Sequence, residues 1–221
     1  TVLTTSINYA STRDLMLKRL MDIAGGLVGC LITGILFIFV APAIYIASPG
    51  PIFFAQKRVG RNGRIFKMYK FRTMYVQDTT EEKKGWTTKN DPRVTKVGRI
   101  LRKTSIDELP QLFNILRGEM SFVGPRPLIP EEEEIRSLRE ASGVYRMRPG
   151  VTGLAQVNGR DLLTAEQKVA YDAYYVEHHT LFMDIRILFQ TIAAVLTGKG
   201  FAEGGELQHH GEQGEDDSEI E

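Results

Sequence analysis

With 221 residues, the chain has room for one domain with a sizeable core or for a small domain plus a membrane element, and the second is expected. A single cysteine, Cys30, excludes an intrachain disulfide and permits a reducing cytosolic setting. The net charge of +1 conceals an asymmetry: from Phe201 onward there are eight acids and no Lys or Arg, which leaves residues 1–200 at +9. Such a body suits anionic lipid head groups, nucleotide phosphates or nucleic acid without choosing among them.

Residues 1–12 are polar and aperiodic and read as an arm or linker; the start at Thr1 in place of Met leads to the expectation of a piece of a longer protein. Arg13 to Met21 sets Leu15, Leu17 and Leu20 among Arg13, Lys18 and Arg19, a basic amphipathic lead-in. Ile23 to Ala47 then carries no charge across 25 positions, and about 20 helical residues suffice for a hydrocarbon core. The run is too long for a signal-peptide core and has no convincing processing site after Ala47. Lys18 and Arg19 precede it, while Lys57, Arg58, Arg61 and Arg64 follow, so the positive-inside preference draws both ends toward the cytoplasm. Pro42 removes a backbone hydrogen bond within the run and predicts a kink near Val40 to Pro42. A bent helix that enters and leaves on one face satisfies both observations; an ordinary spanning helix with a tolerated proline stays open at this point.

After the turn signal Ser48-Pro49-Gly50-Pro51, Ile52 to Gln56 and Ile65 to Phe71 read as strands of a hairpin joined through Arg61-Asn62-Gly63-Arg64. Residues 77–92 are polar and suit a mobile surface loop. Helices are predicted over Val94 to Arg102 and over Asp107 to Leu116, the latter with Ser105 as N-cap and Glu108 three residues on. Further helices are expected at Glu131 to Glu140, at Thr164 to His178 with Thr164 as cap, and at Leu181 to Leu196, which suits a core or a membrane interface. The acidic tail, residues 201–221, is expected to be disordered. Together these elements predict an α+β class.

Asp107 and Glu108 are adjacent, so on a helix they diverge by about 100° and cannot chelate one ion in the usual i, i+3 or i, i+4 manner. They suit different tasks, or simply the favourable N-terminus of a helix dipole. Arg99, Arg102, Lys103, Arg117 and Arg126 make the locality charge-dense. Arg126 is held between Pro125 and Pro127, which restrict the backbone and present a fork suited to phosphate; an incidental surface turn has the same sequence. The run from Arg146 to Arg160 combines three glycines with Arg146, Arg148 and Arg160, as a phosphate-lined loop would, yet its spacing matches neither a Walker loop nor a dinucleotide fingerprint. Tyr69-Lys70-Phe71-Arg72 alternates cations and aromatics at the end of a strand, equally a strand with one solvated face. The pairs His178-His179 and His209-His210 lack a third ligand at metal spacing and read as structural or solvated.

The segments YKFRTM, SIDELPQLFN, MSFVGPRPL and RPGVTGLAQVNGR, behind one apolar run, resemble the bacterial sugar transferase family from about Lys18 to Gly198. These are the monotopic phosphoglycosyl transferases that begin glycan and exopolysaccharide assembly on polyprenyl phosphate. The resemblance implies a re-entrant, proline-broken membrane helix in residues 13–47, bent at Pro42, and a compact cytosolic catalytic domain of helices with a short β-hairpin in residues 48–200. It implies Asp107 as nucleophile and Glu108 as ligand of a Mg2+ cofactor. Phosphate binding falls first to Arg126, then to Lys70, Arg72, Arg102, Arg148 and Arg160. Partners implied are a nucleotide sugar, polyprenyl phosphate and membrane lipids, with no nucleic acid and a homo-oligomer left open. The implied location is the bacterial plasma membrane, with the catalytic domain on the cytoplasmic face. Many members have Ser before the helix proline; Ala41 stands there in this chain and removes a hydroxyl that could satisfy backbone at the bend. The polar arm also resembles the opening of the catalytic part in the larger subfamily, whose usual donors are UDP-glucose or UDP-galactose. Two other readings stay open: a membrane-tethered basic binding module, and a direct glycosyltransferase that releases nucleoside diphosphate.

Overall fold

The computed structural model describes residues 11–76, 91–159 and 162–197; the acidic tail, Arg160 and most of the predicted 77–92 loop lie outside them. Helix α1, Thr12–Ala47, is continuous over 36 residues and contains Pro42, a length of roughly 54 Å at 1.5 Å per residue. The helix continues beyond the proline, where Ser48 N–H reaches Ile44 O at 3.0 Å.

One side of α1 lies against the rest of the molecule along most of its length. A Cβ added at Gly26 or Gly29 would come within 2.8 Å of Leu116 or 2.7 Å of Leu112, so these positions let helix α3, Gln111–Leu116, approach closely. Near its end, Ile44 is buried with Phe71 and Leu101, and Phe37 stacks on Phe53 at 5.6 Å. The outward side exposes Leu27, Leu31, Ile35, Ile38, Phe39 and Ile46. Among the described residues this is the one helix long and apolar enough to cross a membrane, and little of it is buried.

The sequence reading placed Lys18 and Arg19 as cations flanking the apolar run, and the structure gives both another task. Lys18 is buried: its ammonium donates to Val123 O at 2.7 Å, Tyr175 Oη at 3.1 Å and Asp184 Oδ2 at 2.8 Å. Asp184 also accepts from Tyr175 at 2.5 Å and from His179 Nε2 at 3.0 Å, which makes His179 structural. Burial alone would raise the Asp184 carboxyl, but His179, Lys18 and Tyr175 together hold it below its usual range. Arg19 donates to Ile115 O and Leu116 O at 2.7 and 2.9 Å, closing the carbonyl end of α3. Replacing Lys18 with Met strands a buried carboxylate, so a loss of about 3–5 kcal/mol is expected, measured as denaturation of the purified protein in detergent.

Strands β1, Phe53–Val59, and β2, Ile65–Phe71, form the predicted antiparallel hairpin, with β1 three residues longer at its end than expected. Asn62 and Gly63 both take positive φ, 56° and 71°, as the turn demands. Phe66 and Met68 pack on Leu112, Ile115 and Met120 to form the core between hairpin and α3. Helix α2, Lys96–Lys103, starts at Thr95, whose hydroxyl accepts from Gly98 N–H at 2.8 Å.

A second, unpredicted sheet pairs β3, Ser121–Val123, in parallel with β4, Gly150–Thr152. Its closeness explains the glycines of the Arg146 to Arg160 run. A Cβ on Gly150 would lie 2.1 Å from Gly124 N, and one on Gly153 would lie 2.1 Å from Gly124 O. Three backbones thus meet where the sequence suggested a phosphate-lined loop. Helices α4, Glu133–Ala141, α5, Leu154–Val157, α6, Ala165–His178, and α7, Leu181–Thr197, complete the chain. Helix α6 has the expected Thr164 cap as a full capping box with Gln167. The architecture is mixed helix with two small sheets.

Candidate active site

Asp107 and Glu108 lie on a single 3-10 turn, Ile106–Glu108, and not on the α-helix expected over Asp107 to Leu116. Pro110 is the reason. In a continuous helix its nitrogen would donate to Ile106 O, and it has no N–H to give. The chain turns more tightly instead, with Glu108 N–H to Ser105 O at 3.2 Å and Leu109 N–H to Ile106 O at 3.1 Å, before α3 begins at Gln111. Ser105 is correspondingly no N-cap; it sits in the left-handed region at φ 56° and makes no capping hydrogen bond.

At three residues per turn the two carboxylates still diverge, by about 120°. Asp107 points inward and is 8% exposed. Burial pushes its carboxyl up to about 6, against the pull of Lys70; Glu108 raises it further and Arg102 lowers it. Glu108 points outward to Lys70, with Oε1 2.8 Å from Nζ and both side chains partly exposed. One carboxylate is therefore sheltered and the other accessible.

The hairpin's inner face supplies cations in register. Lys70 pairs with Phe54 across the sheet, so Gln56 and Arg58, two and four residues on, lie on the same face as Lys70. Arg58 donates to Gln56 Oε1 at 2.6 Å and to Pro127 O at 3.1 Å. Burial first, and then the neighbouring Arg126, lower the Arg58 guanidinium to about 10; Glu132, Glu108 and Glu131 act against that shift. Arg58 thus lies within electrostatic reach of both Glu108 and Arg126. Arg126 itself is exposed on the loop after β3.

The other predicted phosphate ligands separate. Arg102 belongs to the site: it acts on Asp107 and donates through Nε to Thr73 Oγ1 at 2.9 Å. Arg72 is buried and donates to Ser48 O at the end of α1, packed on the Ser48 to Gly50 turn. Arg148 donates to Gly118 O at 2.8 Å, and burial, then Arg19 and Arg61, lower its guanidinium; it sits by the end of α3. Arg160 lies outside the described residues.

Sequence reasoning passed over Gln56 and Arg58, although their two-residue spacing in phase with Lys70 was the available signal. It also assigned Asp91 to a mobile loop. Asp91 is buried and held down to about 2 by the Arg93 fork, with contacts of 2.6 to 3.1 Å, and it feels Arg102 as well.

Among the described residues no three His, Cys, Asp or Glu side chains gather as a metal cluster. Magnesium does not require one, since it commonly takes one or two carboxylates and completes its shell with substrate phosphates and water. Glu108, a partly exposed hard oxygen donor beside Asp107, fits that requirement. The arrangement can shelter an anionic oxygen nucleophile, hold a divalent ion next to it, and surround a polyphosphate with Lys70, Arg102, Arg126 and Arg58.

Residues 13–198 match the family described as bacterial sugar transferase. The chain is 42% identical over 212 residues to galactosyl transferase CpsE of Streptococcus agalactiae, covering 90% of this chain and 46% of that protein. It is 41% identical over 201 residues to exopolysaccharide production protein ExoY of Rhizobium meliloti, covering 84% and 88%. It is 40% identical over 207 residues to undecaprenyl-phosphate galactose phosphotransferase of Salmonella typhimurium, covering 87% and 43%. The chain therefore spans less than half of the first and third relatives and most of the second.

Proposed function

Because the chain belongs to the bacterial sugar transferase family, we propose that it moves a sugar 1-phosphate from a UDP-hexose to polyprenyl phosphate through an aspartyl phosphosugar on Asp107. The observation that carries this reading is the sheltered carboxylate of Asp107, at about 6, beside the Lys70–Glu108 pair. Burial makes it a poorly solvated and hence reactive nucleophile, and a value near 6 keeps most of it ionised at neutral pH.

In the first step an Asp107 oxygen bonds to the phosphorus that bears the sugar. The bond from that phosphorus to the bridging oxygen breaks, and nucleoside monophosphate leaves with the electron pair. In the second, an oxygen of polyprenyl phosphate bonds to the same phosphorus, and the Asp107 carboxylate departs unchanged. Glu108, with donor phosphate oxygens, would hold Mg2+, which supplies neutralisation of charge on the diphosphate and on the leaving oxygen. Lys70 and Arg102 balance the charge of Asp107, and Arg126 grips donor phosphate. The Salmonella relative's name specifies galactose phosphate and undecaprenyl phosphate, and we extend both classes to this chain.

Helix α1 suits a re-entrant anchor. Its body-facing side is held from Lys18 to Ile44, so both ends stay with one body, while its other side is apolar. Helix α1 runs on through Pro42, and the bend we propose belongs to the lipid-bound helix, at the one residue that gives no N–H to the ladder. Docked on the cytoplasmic face of the plasma membrane, the domain would meet a soluble donor and a lipid acceptor at one depth.

Identifying the nucleotide released tests the reading. UMP is expected; UDP would assign direct glycosyl transfer, and no release would leave a binding module. The pH dependence follows from Asp107: the ionised form is required, so single-turnover UMP release should fall about tenfold per pH unit below about 6 and level off above it. A rate insensitive to pH between about 5 and 7 contradicts the assignment.

A further inference from the structure

Four consecutive carbonyls of the loop that carries Arg126 accept hydrogen bonds from outside the loop. Gly150 N–H donates to Pro125 O at 3.0 Å and Val59 N–H to Leu128 O at 2.9 Å. Arg58 Nη1 donates to Pro127 O at 3.1 Å, and Arg139 Nη1 to Arg126 O at 2.6 Å. Two of the four residues are prolines with no N–H of their own, so the loop is held from its acceptor side by β4, β1 and α4.

The Arg139 bond differs from the others in what stands behind it. Arg139, on α4, is 3% exposed, and its second amino group meets Asp172 Oδ2 of α6 at 2.5 Å, with Asp172 at 1%. A buried ion pair is a weak source of net stability, because desolvating both charges offsets their attraction. Here it fixes the guanidinium plane, so that the remaining fork nitrogen meets the main-chain oxygen of Arg126 itself.

We propose that Arg139, locked by Asp172, is the positioning residue that sets the backbone of Arg126, and through it where the Arg126 guanidinium meets the donor diphosphate. This rests on the reading of Arg126 as a phosphate contact. Arg139 touches no substrate. It removes backbone freedom from the residue that does, at a site where displacement by about 1 Å can cost about 100-fold in rate.

A double-mutant cycle on the full chain, with steady-state kinetics for the sugar nucleotide, tests it. Arg126→Ala should lower kcat/KM about 100-fold, as loss of a hydrogen-bonded charge does. Replacing the pair together, Arg139→Met with Asp172→Leu, leaves no lone buried charge and should keep the melting temperature. It should lower kcat/KM about 10-fold, mainly through KM, as expected when an undisturbed contact is merely misplaced. In the Arg126→Ala background the same pair replacement should have no further effect. A full additional loss there, or no loss in the wild-type background, overturns the positioning role while Arg126 keeps its own. An unchanged Arg126→Ala enzyme removes the phosphate contact and the proposal with it. Should the double replacement fail to fold, Arg139→Lys, which keeps a buried cation for Asp172 but lacks the second fork nitrogen that holds Arg126 O, runs the same cycle with the same outcomes.

Discussion

Asp107→Asn should abolish UMP release, with a loss of about 10⁴-fold or more, while leaving the protein folded. The amide has no charge to place on phosphorus, and removal of a covalent nucleophile costs on that scale where nothing else can substitute. Glu108 is the nearest other carboxylate, but it faces Lys70 on a turn that separates neighbouring residues by about 120°. Stability should move the opposite way. Burial raises the folded-state value of Asp107 from 3.8 to about 6. Its contribution to stability is therefore fully present below about pH 4 and is lost as pH rises through about 6. At neutral pH the wild type holds an ionised carboxylate in a desolvated place, and the uncharged amide relieves it. A higher melting temperature with no activity is the expected pair of readings, a trade of stability for function at a reactive group. An active Asp107→Asn enzyme contradicts the nucleophile assignment.

Glu108→Gln should lower turnover by about 10² to 10³-fold at fixed magnesium, with partial recovery as magnesium is raised. The amide keeps shape and one acceptor oxygen but loses the charge that a hard divalent ion requires, and metal stabilisation of developing charge is worth several kcal/mol. Folding should be nearly untouched. The Lys70–Glu108 pair is partly exposed on both sides, and such pairs contribute only about 0–1 kcal/mol. Magnesium titration of UMP release, with thermal melting alongside, separates the two effects. A Glu108→Gln enzyme with wild-type magnesium dependence sinks the ligand assignment.

How far the sequence carried depended on how local the determining physics was. The hairpin was legible because Asn62-Gly63 carries its turn chemistry within two residues, and α6 because Thr164 and Gln167 close a box between neighbours. The turn bearing Asp107 was misread although its cause was also local: Ser105 looked like a cap, while Pro110 five residues later forbade the helix that a cap would start. Strands β3 and β4 were not legible at all. Each has three residues and no alternation, and what pairs them is the contact of Gly124 with Gly150 and Gly153, across some 26 to 29 positions of chain. Asp107 and Glu108 were singled out through motif order, whereas the cations around them sorted only in three dimensions. Arg148 resembled a phosphate ligand by composition and donates to Gly118 O; Arg58, read as one of the cations behind the apolar run, lies within electrostatic reach of both Glu108 and Arg126. Lys18, taken for a membrane flank, is the buried partner of Asp184, more than 160 residues away.

The proposed mechanism requires the phosphosugar to rest on Asp107 between the two substrates. It is tested most directly by intact-protein mass spectrometry of the enzyme mixed with magnesium and UDP-hexose in the absence of polyprenyl phosphate. A mass increase of one hexose phosphate is expected, mapped to the peptide containing Asp107, absent from Asp107→Asn, and discharged when polyprenyl phosphate is added. UMP release without any protein-bound phosphosugar, or an adduct that forms equally on Asp107→Asn, would contradict the account.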